Sequence, residues 1–411
     1  MANRWILFFA FLCGVVSSLF VSTPFGRVAM FDMIAYFLGP IMFLYCYRRF
    51  SRSERCLLTF SFFWFLWTCY SNWWRGGNLQ TAMKGDAIVF NVMCMLVTCI
   101  FLLKKSYKAF FWFVVGAGIS NVISLYVFQN GALLYFADRG GFEGTGGIQD
   151  YLLEKQVYPI YANAVFVSVL FPLRVLMHIP WFTVVVGCVA SAFTLLFKGG
   201  SRSNFGIFLV TAAFAACYAY FRGLIRAGMK NMTFFIIAGL LLCYVVFSVY
   251  SHLASSGALG EGEYGKYMEQ MVDSERGFLG DRDDLFRAWP FLKDHPIVGA
   301  GSSALDRWGY MEEAFFLPGH SALVGAWVQN GIAGLIFWLY ALYLMFEFMR
   351  KRMLFFANWF PFLVYQWVIL VWAILFSPFG GQRGLTCMAL ALCVITQSKK
   401  YMDEVQFDLT R

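Results

Sequence analysis

Two arginines and a histidine border long apolar runs of this chain, and their side chains could act on a phosphorylated substrate. Arg202 lies in "FKGGSRSNFG", Arg282 in "GDRDDLFRAW" and His320 in "PGHSALVGAW". An arginine carries a permanent, forked positive charge that binds two phosphate oxygens at once. A histidine at a water-facing border can take up a proton near neutral pH. These residue types could bind an anionic group and accept a proton.

Each of these residues also has a purely structural interpretation. An arginine at the end of a span commonly reaches from the lipid to the membrane surface, as Arg202 would. His320 follows the Pro318-Gly319 turn and matches a polar residue at the membrane border. Lys198 lies shortly before Arg202 and is either a phosphate contact or an interfacial anchor. Taken singly, the residues leave both interpretations open.

The elements that must position these side chains are membrane-spanning helices. Of the 411 residues, 60% are hydrophobic and 13% are charged, and the mean hydropathy is +0.64. Apolar runs near the ~20 residues that a helix needs to cross a bilayer recur along the chain, which excludes a soluble protein. They predict an all-α integral membrane protein, one polytopic domain over 1–411 with about twelve transmembrane helices. The predicted spans are 5–22, 28–47, 56–71, 86–103, 109–128, 158–173, 180–197, 204–221, 231–250, 322–346, 358–376 and 384–397.

The basic residues indicate an orientation. With a cytoplasmic N-terminus, the short loops on that side are rich in Arg and Lys, as the positive-inside rule requires. These residues include Arg48, Arg49, Arg52, Arg55, Lys104, Lys105, Lys108, Arg222, Arg226, Lys230, Arg350, Lys351 and Lys399. Both termini are then cytoplasmic, and the first apolar run is a retained span, not a cleaved signal peptide. The net charge of +9 reflects this topology, so no nucleic-acid partner is predicted.

Two longer segments lie on the opposite, external side. Residues 129–157 include "ADRGGFEGTGGIQDYLLEK", whose glycines favour an irregular loop, and Arg139 within it is a candidate for binding an anionic substrate. Residues 251–321, between spans 9 and 10, are long enough to form a helical subdomain. Asp281 and Asp283 in this segment are typical of a capped helix start, so no metal site is predicted there. The cysteines contain no CxxC pair, and no cofactor is expected.

Three motifs follow one another between residues 200 and 345. The first is a serine–arginine pair at the start of a span. The second is an arginine with an aromatic residue four positions later, followed by an hPlxGxG stretch. The third is an HS pair followed by a GxxG pattern. The residues are Ser201, Arg202, Arg282, Phe286, the run 295–301 "HPIVGAG", His320, Ser321, Gly331 and Gly334. In order and spacing the motifs resemble the O-antigen ligase and polymerase superfamily, in which tryptophan is common at the position of Phe286 and asparagine at that of Ser321.

The resemblance implies a GT-C-like membrane fold and an inverting, metal-independent glycosyltransferase. It implies an undecaprenyl-diphosphate-linked glycan as donor and an active site on the periplasmic face of the bacterial inner membrane. Arg202 and Arg282 would bind the diphosphate and stabilise its charge as it leaves. His320 would take the proton of the acceptor hydroxyl or orient that hydroxyl. The further candidates for substrate binding are Lys198, Arg139, Arg287, Arg383 and Ser321.

Three functions remain open. A ligase would join the lipid-linked O-antigen to lipid A-core, and the spacing from His320 to Gly334 favours it slightly. A polymerase of O-antigen or exopolysaccharide would use a lipid-linked repeat unit as acceptor. A transporter or flippase of lipid-linked sugar would place charges along a path through the membrane, where the predicted spans hold few.

Gly331 and Gly334 are interpreted as small residues that let neighbouring helices approach. The oligomeric state is left open.

Overall fold

The structure, a computed structural model, describes two main parts of the chain, near its beginning and near its end. The described residues are 2–17, 19–23, 26–75, 79–131, 173, 176–180, 183, 186, 289–301, 321–353, 355–356, 360–376, 383–399 and 401–403. The predicted spans 158–173, 180–197, 204–221 and 231–250 lie wholly or mainly outside them, as does most of the external segment 251–321. The number of spans and the external subdomain therefore stay predictions.

Helices dominate the described residues. They are α1 Ala2–Val15, α2 Met30–Cys46, α3 Arg52–Arg75, α4 Leu79–Lys105, α5 Lys108–Gly131, α6 Trp289–Asp294, α7 Ala322–Lys351, α8 Phe360–Phe376 and α9 Arg383–Ile395. A short 3₁₀ helix, Tyr47–Arg49, follows α2. An antiparallel hairpin of β1 Phe20–Thr23 and β2 Gly26–Ala29 separates α1 from α2, with Phe20 opposite Ala29.

Three of the described helices are long and apolar enough to cross a membrane. They cover Met30–Arg49, Gly85–Lys105 and Ala322–Lys351, which agrees with the predicted spans 28–47, 86–103 and 322–346. Helices α3, α5, α8 and α9 overlap the predicted spans 56–71, 109–128, 358–376 and 384–397. The chain is therefore a helical membrane protein, as its composition predicts.

The first predicted span, 5–22, differs from the structure. Helix α1 ends at Val15, and residues from Phe20 form the hairpin. The Ser17 hydroxyl donates to the Gly14 carbonyl at 2.7 Å, and the Ser17 N–H donates to the same oxygen at 3.0 Å. These bonds tighten the last turn and stop the helix from continuing. Hydropathy alone extends the helix because the residues that follow are also mostly apolar.

Close helix contacts hold the bundle together. Gly14 of α1 and Gly116 of α5 face each other so closely that a Cβ on Gly116 would lie 2.8 Å from the Val15 nitrogen. Helices α3 and α7 meet through stacked aromatic rings, with the centroids of Trp64 and Phe337 separated by 4.6 Å. Small residues and stacked rings supply packing that does not depend on the hydrophobic effect, which is weak between helices in lipid.

The contacts also define the two ends of the bundle. Helices α2 and α9 run alongside α4 in the same direction, whereas α3 runs antiparallel to both α4 and α7. One end, here called the motif end, contains the first residues of α2, α4, α7 and α9 and the last residues of α3. The opposite end, here called the basic end, contains Arg48, Arg49, Arg52, Arg55, Lys104, Lys105, Lys108, Arg350 and Lys351.

Glu54 anchors the basic end of α3. Its carboxylate accepts the Ser51 N–H at 2.8 Å, and the Ser51 hydroxyl accepts the Glu54 N–H at 3.3 Å, which completes a capping box. The same carboxylate forms an ion pair with Lys104 of α4 at 2.6 Å, and 2% of the Glu54 side chain is exposed. A single buried carboxylate thus caps one helix and ties it to the next.

We expect Glu54→Ala to lower the free energy of unfolding by about 2 kcal/mol, because it removes both the cap and the partner of a mostly buried lysine. The matched control is Glu347→Ala. Glu347 pairs with Lys351 at the same 2.6 Å, but 48% of that lysine side chain is exposed. The control should lose less than about 1 kcal/mol. Titration with SDS in mixed micelles measures both, and equal losses would contradict the role assigned to Glu54.

Candidate functional site

Helix α7 is broken at Gly331, where φ is 61° and ψ is −150°. In an unbroken helix the Ile332 N–H would donate to the Val328 carbonyl. The break leaves backbone groups on both sides of Gly331 to find partners elsewhere. Val328 and Asn330 are 1% and 3% exposed, so an unpaired backbone group here would be costly.

Residues 295–301, "HPIVGAG", supply those partners, and they are called the glycine segment below. The three bonds are the Ala300 N–H to the Val328 carbonyl at 2.7 Å, the Gly301 N–H to the Gln329 carbonyl at 2.9 Å, and the Ile332 N–H to the Ile297 carbonyl at 3.0 Å. The glycine segment therefore fills the gap in the hydrogen bonding of α7. Two of the motifs noted in the sequence, separated along the chain, meet backbone to backbone.

Glycine is required at this junction for two reasons. Gly299, Gly301 and Gly331 have φ of 79°, 76° and 61°, a region that other residues rarely adopt. A Cβ on Gly331 would also collide with the Ile297 carbonyl. The predicted close approach at Gly331 is present, but its partner is the glycine segment and not a neighbouring helix. At Gly334 the partner is Ala326, in the first half of the same helix.

Helix α3 holds the other side of the glycine segment. Three of its side chains, spaced by four residues, donate to three consecutive carbonyls. The bonds are Trp67 Nε1 to Ile297 O at 3.2 Å, Ser71 Oγ to Val298 O at 2.7 Å, and Arg75 Nε to Gly299 O at 2.8 Å. Residues at this spacing share one face of a helix, so α3 presents a row of donors to the segment.

Two tryptophans, one on α7 and one on α3, add further hydrogen bonds at this junction. Trp327 of α7 donates its Nε1–H to the Pro296 carbonyl at 2.9 Å. Trp64 of α3 donates to Asn330 Oδ1 at 3.2 Å, directly beside the break in α7. Buried indoles generally find such acceptors. The carbonyls of residues 296–299 are consequently all paired.

Asn72 connects the same end of α3 to α4. Its Nδ2 donates to Asp86 Oδ1 at 2.6 Å and to the Ala82 carbonyl at 3.3 Å. The Asn72 Oδ1 lies 3.3 Å from the position that a Cβ on Gly301 would take. The carboxylate of Asp86 is thereby engaged by an amide next to the glycine segment.

Two of the predicted site residues, Ser321 and Arg383, are among the described residues, and both have partners within the protein. Ser321 is the N-cap of α7: its hydroxyl accepts the Val324 N–H at 3.1 Å and donates to the Ile374 carbonyl at 3.4 Å. Arg383, the first residue of α9, forms an ion pair with Asp32 of α2 at 2.9 Å, with 14% and 6% of their side chains exposed. Substrate binding by either residue stays a prediction.

The remaining predicted site residues lie outside the described residues. They are Arg139, Lys198, Arg202, Arg282, Arg287 and His320. Where the structure does describe the chain, no three His, Cys, Asp or Glu side chains come together as a metal site would require.

The structure adds residues to the site that the sequence reading did not select. Trp67, Ser71 and Arg75 lie in "WTCYSNWWR", at the end of a predicted span. The spacing of four residues between them indicates that they share one face of a helix. The signal did not identify a partner, because the glycine segment lies more than 200 residues away in the chain.

Comparison with known families, with characterised proteins and with solved structures finds no match to this chain.

We expect Gly331→Ala to lower the free energy of unfolding by about 2 kcal/mol or more, because the new Cβ meets the Ile297 carbonyl and the backbone needs positive φ. Gly325→Ala in the same helix is the control. Gly325 donates its N–H to the Ser321 carbonyl at 2.9 Å, a regular helical bond, so alanine there should be neutral or stabilising. Unfolding in mixed micelles distinguishes the two, and equal effects would argue against a required break.

Proposed function

We propose that the protein transfers a glycan from an undecaprenyl-diphosphate-linked donor to an acceptor at the periplasmic face of the bacterial inner membrane. The favoured activity is that of an O-antigen ligase, with lipid A-core as acceptor, by a metal-independent inverting mechanism. The observation that carries the proposal is the docking of the glycine segment into the break of α7. It joins two of the motifs on which the family resemblance depends into one hydrogen-bonded unit.

The hydrogen bonds of this unit suit a transferase. A reaction at the membrane surface needs its charged groups held in fixed positions while the lipid-linked substrate arrives. The glycine segment follows Arg282 in sequence, and Ser321 fixes the start of α7 directly after His320. The Ser321 cap thus anchors the chain immediately after one of the three proposed catalytic residues, His320.

The proposed reaction is a direct displacement. The oxygen of an acceptor hydroxyl forms a bond to the anomeric carbon, the bond from that carbon to the diphosphate oxygen breaks, and the diphosphate leaves with the electron pair. Arg202 and Arg282 balance the negative charge on the leaving group. His320 receives the hydroxyl proton. Attack from the side opposite the leaving group inverts the anomeric centre.

The basic end supports the proposed orientation. It combines lysines and arginines from the ends of α2, α3, α4, α5 and α7, as expected of a cytoplasmic surface. The motif end would then face the periplasm. Multiple spans with both termini in the cytoplasm follow from the same assignment.

Two other functions compete with the ligase. A polymerase would use the same donor site with a lipid-linked repeat unit as acceptor. One observation would suit a transporter of lipid-linked sugar. Helix α7 is broken at Gly331, and discontinuous helices commonly form transport sites. In this protein the freed backbone groups of α7 bind the glycine segment instead, which favours a structural use of the break.

The test supplies the purified protein with lipid-linked glycan and, in separate reactions, with lipid A-core or a second lipid-linked unit. Mass spectrometry identifies the acceptor that gains the glycan. A gain by lipid A-core supports the ligase, and a gain by the lipid-linked unit supports the polymerase. Movement of the donor across sealed vesicles without any transfer would overturn the transferase proposal.

We expect His320→Ala to lower kcat roughly 10²- to 10⁴-fold, because the acceptor hydroxyl loses its base. The control is His178→Asn. His178 is exposed and has a φ of 57°, a conformation that asparagine tolerates. The control should retain wild-type kcat in the same transfer assay. Full activity in His320→Ala would remove that histidine from the mechanism.

A further inference from the structure

Arg75 is the last residue of α3 and lies at the motif end, against the glycine segment. Its Nε–H donates to the Gly299 carbonyl at 2.8 Å. A guanidinium has five N–H donors and keeps its charge at every physiological pH. The bond to a carbonyl uses one donor, and a neutral carbonyl does not balance the charge.

Two of the carboxylates at this end of the bundle are engaged with other residues. Asp86 accepts from Asn72 at 2.6 Å, and Asp32 pairs with Arg383 at 2.9 Å. Within the described part of the chain, ion pairs join Lys104 to Glu54, Lys351 to Glu347 and Arg383 to Asp32, and none includes Arg75. A partly buried arginine in this setting favours an anion as its partner.

The side chain of Arg75 is also held in place before any ligand binds. Its Cβ and Cγ lie 3.3 and 3.5 Å from the position that a Cβ on Gly301 would occupy, so the side chain lies against a glycine that leaves it room. Together with the bond to Gly299, this contact restricts the rotamers of Arg75. An anion that binds here loses less free energy to side-chain ordering than it would at a mobile arginine.

We propose that Arg75 is a further binding residue of the donor site and contacts the diphosphate of the polyprenyl-linked substrate. This inference rests on the proposed function, since that function supplies a diphosphate at the motif end. The chemistry that Arg75 recognises is a phosphate anion at the membrane surface. That anion is present both in a polyprenyl diphosphate and in the head group of an anionic phospholipid, and the experiment separates these sources.

The structural alternative is that Arg75 only clamps the glycine segment. Two variants separate clamping from binding. Arg75→Gln removes the charge but keeps an amide N–H that can donate to the Gly299 carbonyl. Ser71→Ala removes the neighbouring clamp, the 2.7 Å bond to the Val298 carbonyl, without changing any charge. If clamping were the whole role of Arg75, the two variants would affect binding alike.

The experiment measures binding of undecaprenyl diphosphate to the purified full-length protein in micelles by native mass spectrometry. Undecaprenol and phosphatidylglycerol are the comparison ligands. We expect Arg75→Gln to weaken binding of undecaprenyl diphosphate roughly tenfold to a hundredfold, as the loss of a charge-assisted hydrogen bond does. Ser71→Ala should weaken it clearly less. Arg52→Gln, at the opposite end of the same helix, should leave it unchanged.

The outcomes separate this inference from the proposed function. If the wild-type protein binds undecaprenyl diphosphate no better than undecaprenol, the proposed donor is wrong and both fail. If wild-type binding is specific and Arg75→Gln retains it, the role of Arg75 is overturned and the proposed function stands. An equal loss in Arg75→Gln and Ser71→Ala overturns the role in favour of clamping. A loss confined to phosphatidylglycerol overturns it in favour of a structural lipid.

Discussion

The backbone hydrogen bonding around Gly331 is the constraint on which the described site depends. A membrane-spanning helix that breaks among buried side chains must pair its freed N–H and carbonyl groups, because no lipid group can do so. Ile332 donates to the glycine segment, and the carbonyls of Val328 and Gln329 accept from it. Neither partner satisfies its backbone hydrogen bonds alone. The glycine segment has no helix or strand of its own at residues 295–301, and the helical hydrogen bonding of α7 is interrupted at Gly331. The two are therefore positioned together.

Helix α3 holds the glycine segment in place against α7. Trp67, Ser71 and Arg75 donate to successive carbonyls of the glycine segment, while Trp64 reaches Asn330 beside the break. Because these donors belong to one helix, a shift of the segment would strain several bonds at once. The same helix is tied at its other end by Glu54 to Lys104 of α4. The candidate site thus rests on a helix that is anchored at both ends of the bundle.

Sequence patterns predicted the helices better than the contacts between them. Apolar runs located α2, α4 and α7 because lipid burial demands such runs whatever the tertiary partners are. They misplaced the end of α1, since the Ser17 hydroxyl that closes its last turn acts locally and hardly changes hydropathy. Gly331 was recognised as a position of close approach, but a helix-packing glycine and a helix-breaking glycine look alike in sequence. The pair of Arg383 with Asp32 joins residues distant in the chain and has no local pattern.

Arg75 and Arg383, both at the motif end, differ in what their charge can do. Arg383 lies 2.9 Å from the Asp32 carboxylate, and the opposite charges of that buried pair largely cancel at a distance. Arg75 binds a neutral carbonyl and joins none of the ion pairs among the described residues, so its charge is less compensated there than that of Arg383. An approaching diphosphate is attracted by net charge, not by the number of basic residues. Of the two, Arg75 is therefore the stronger electrostatic partner for the proposed anionic donor, although Arg383 was the one that the sequence suggested.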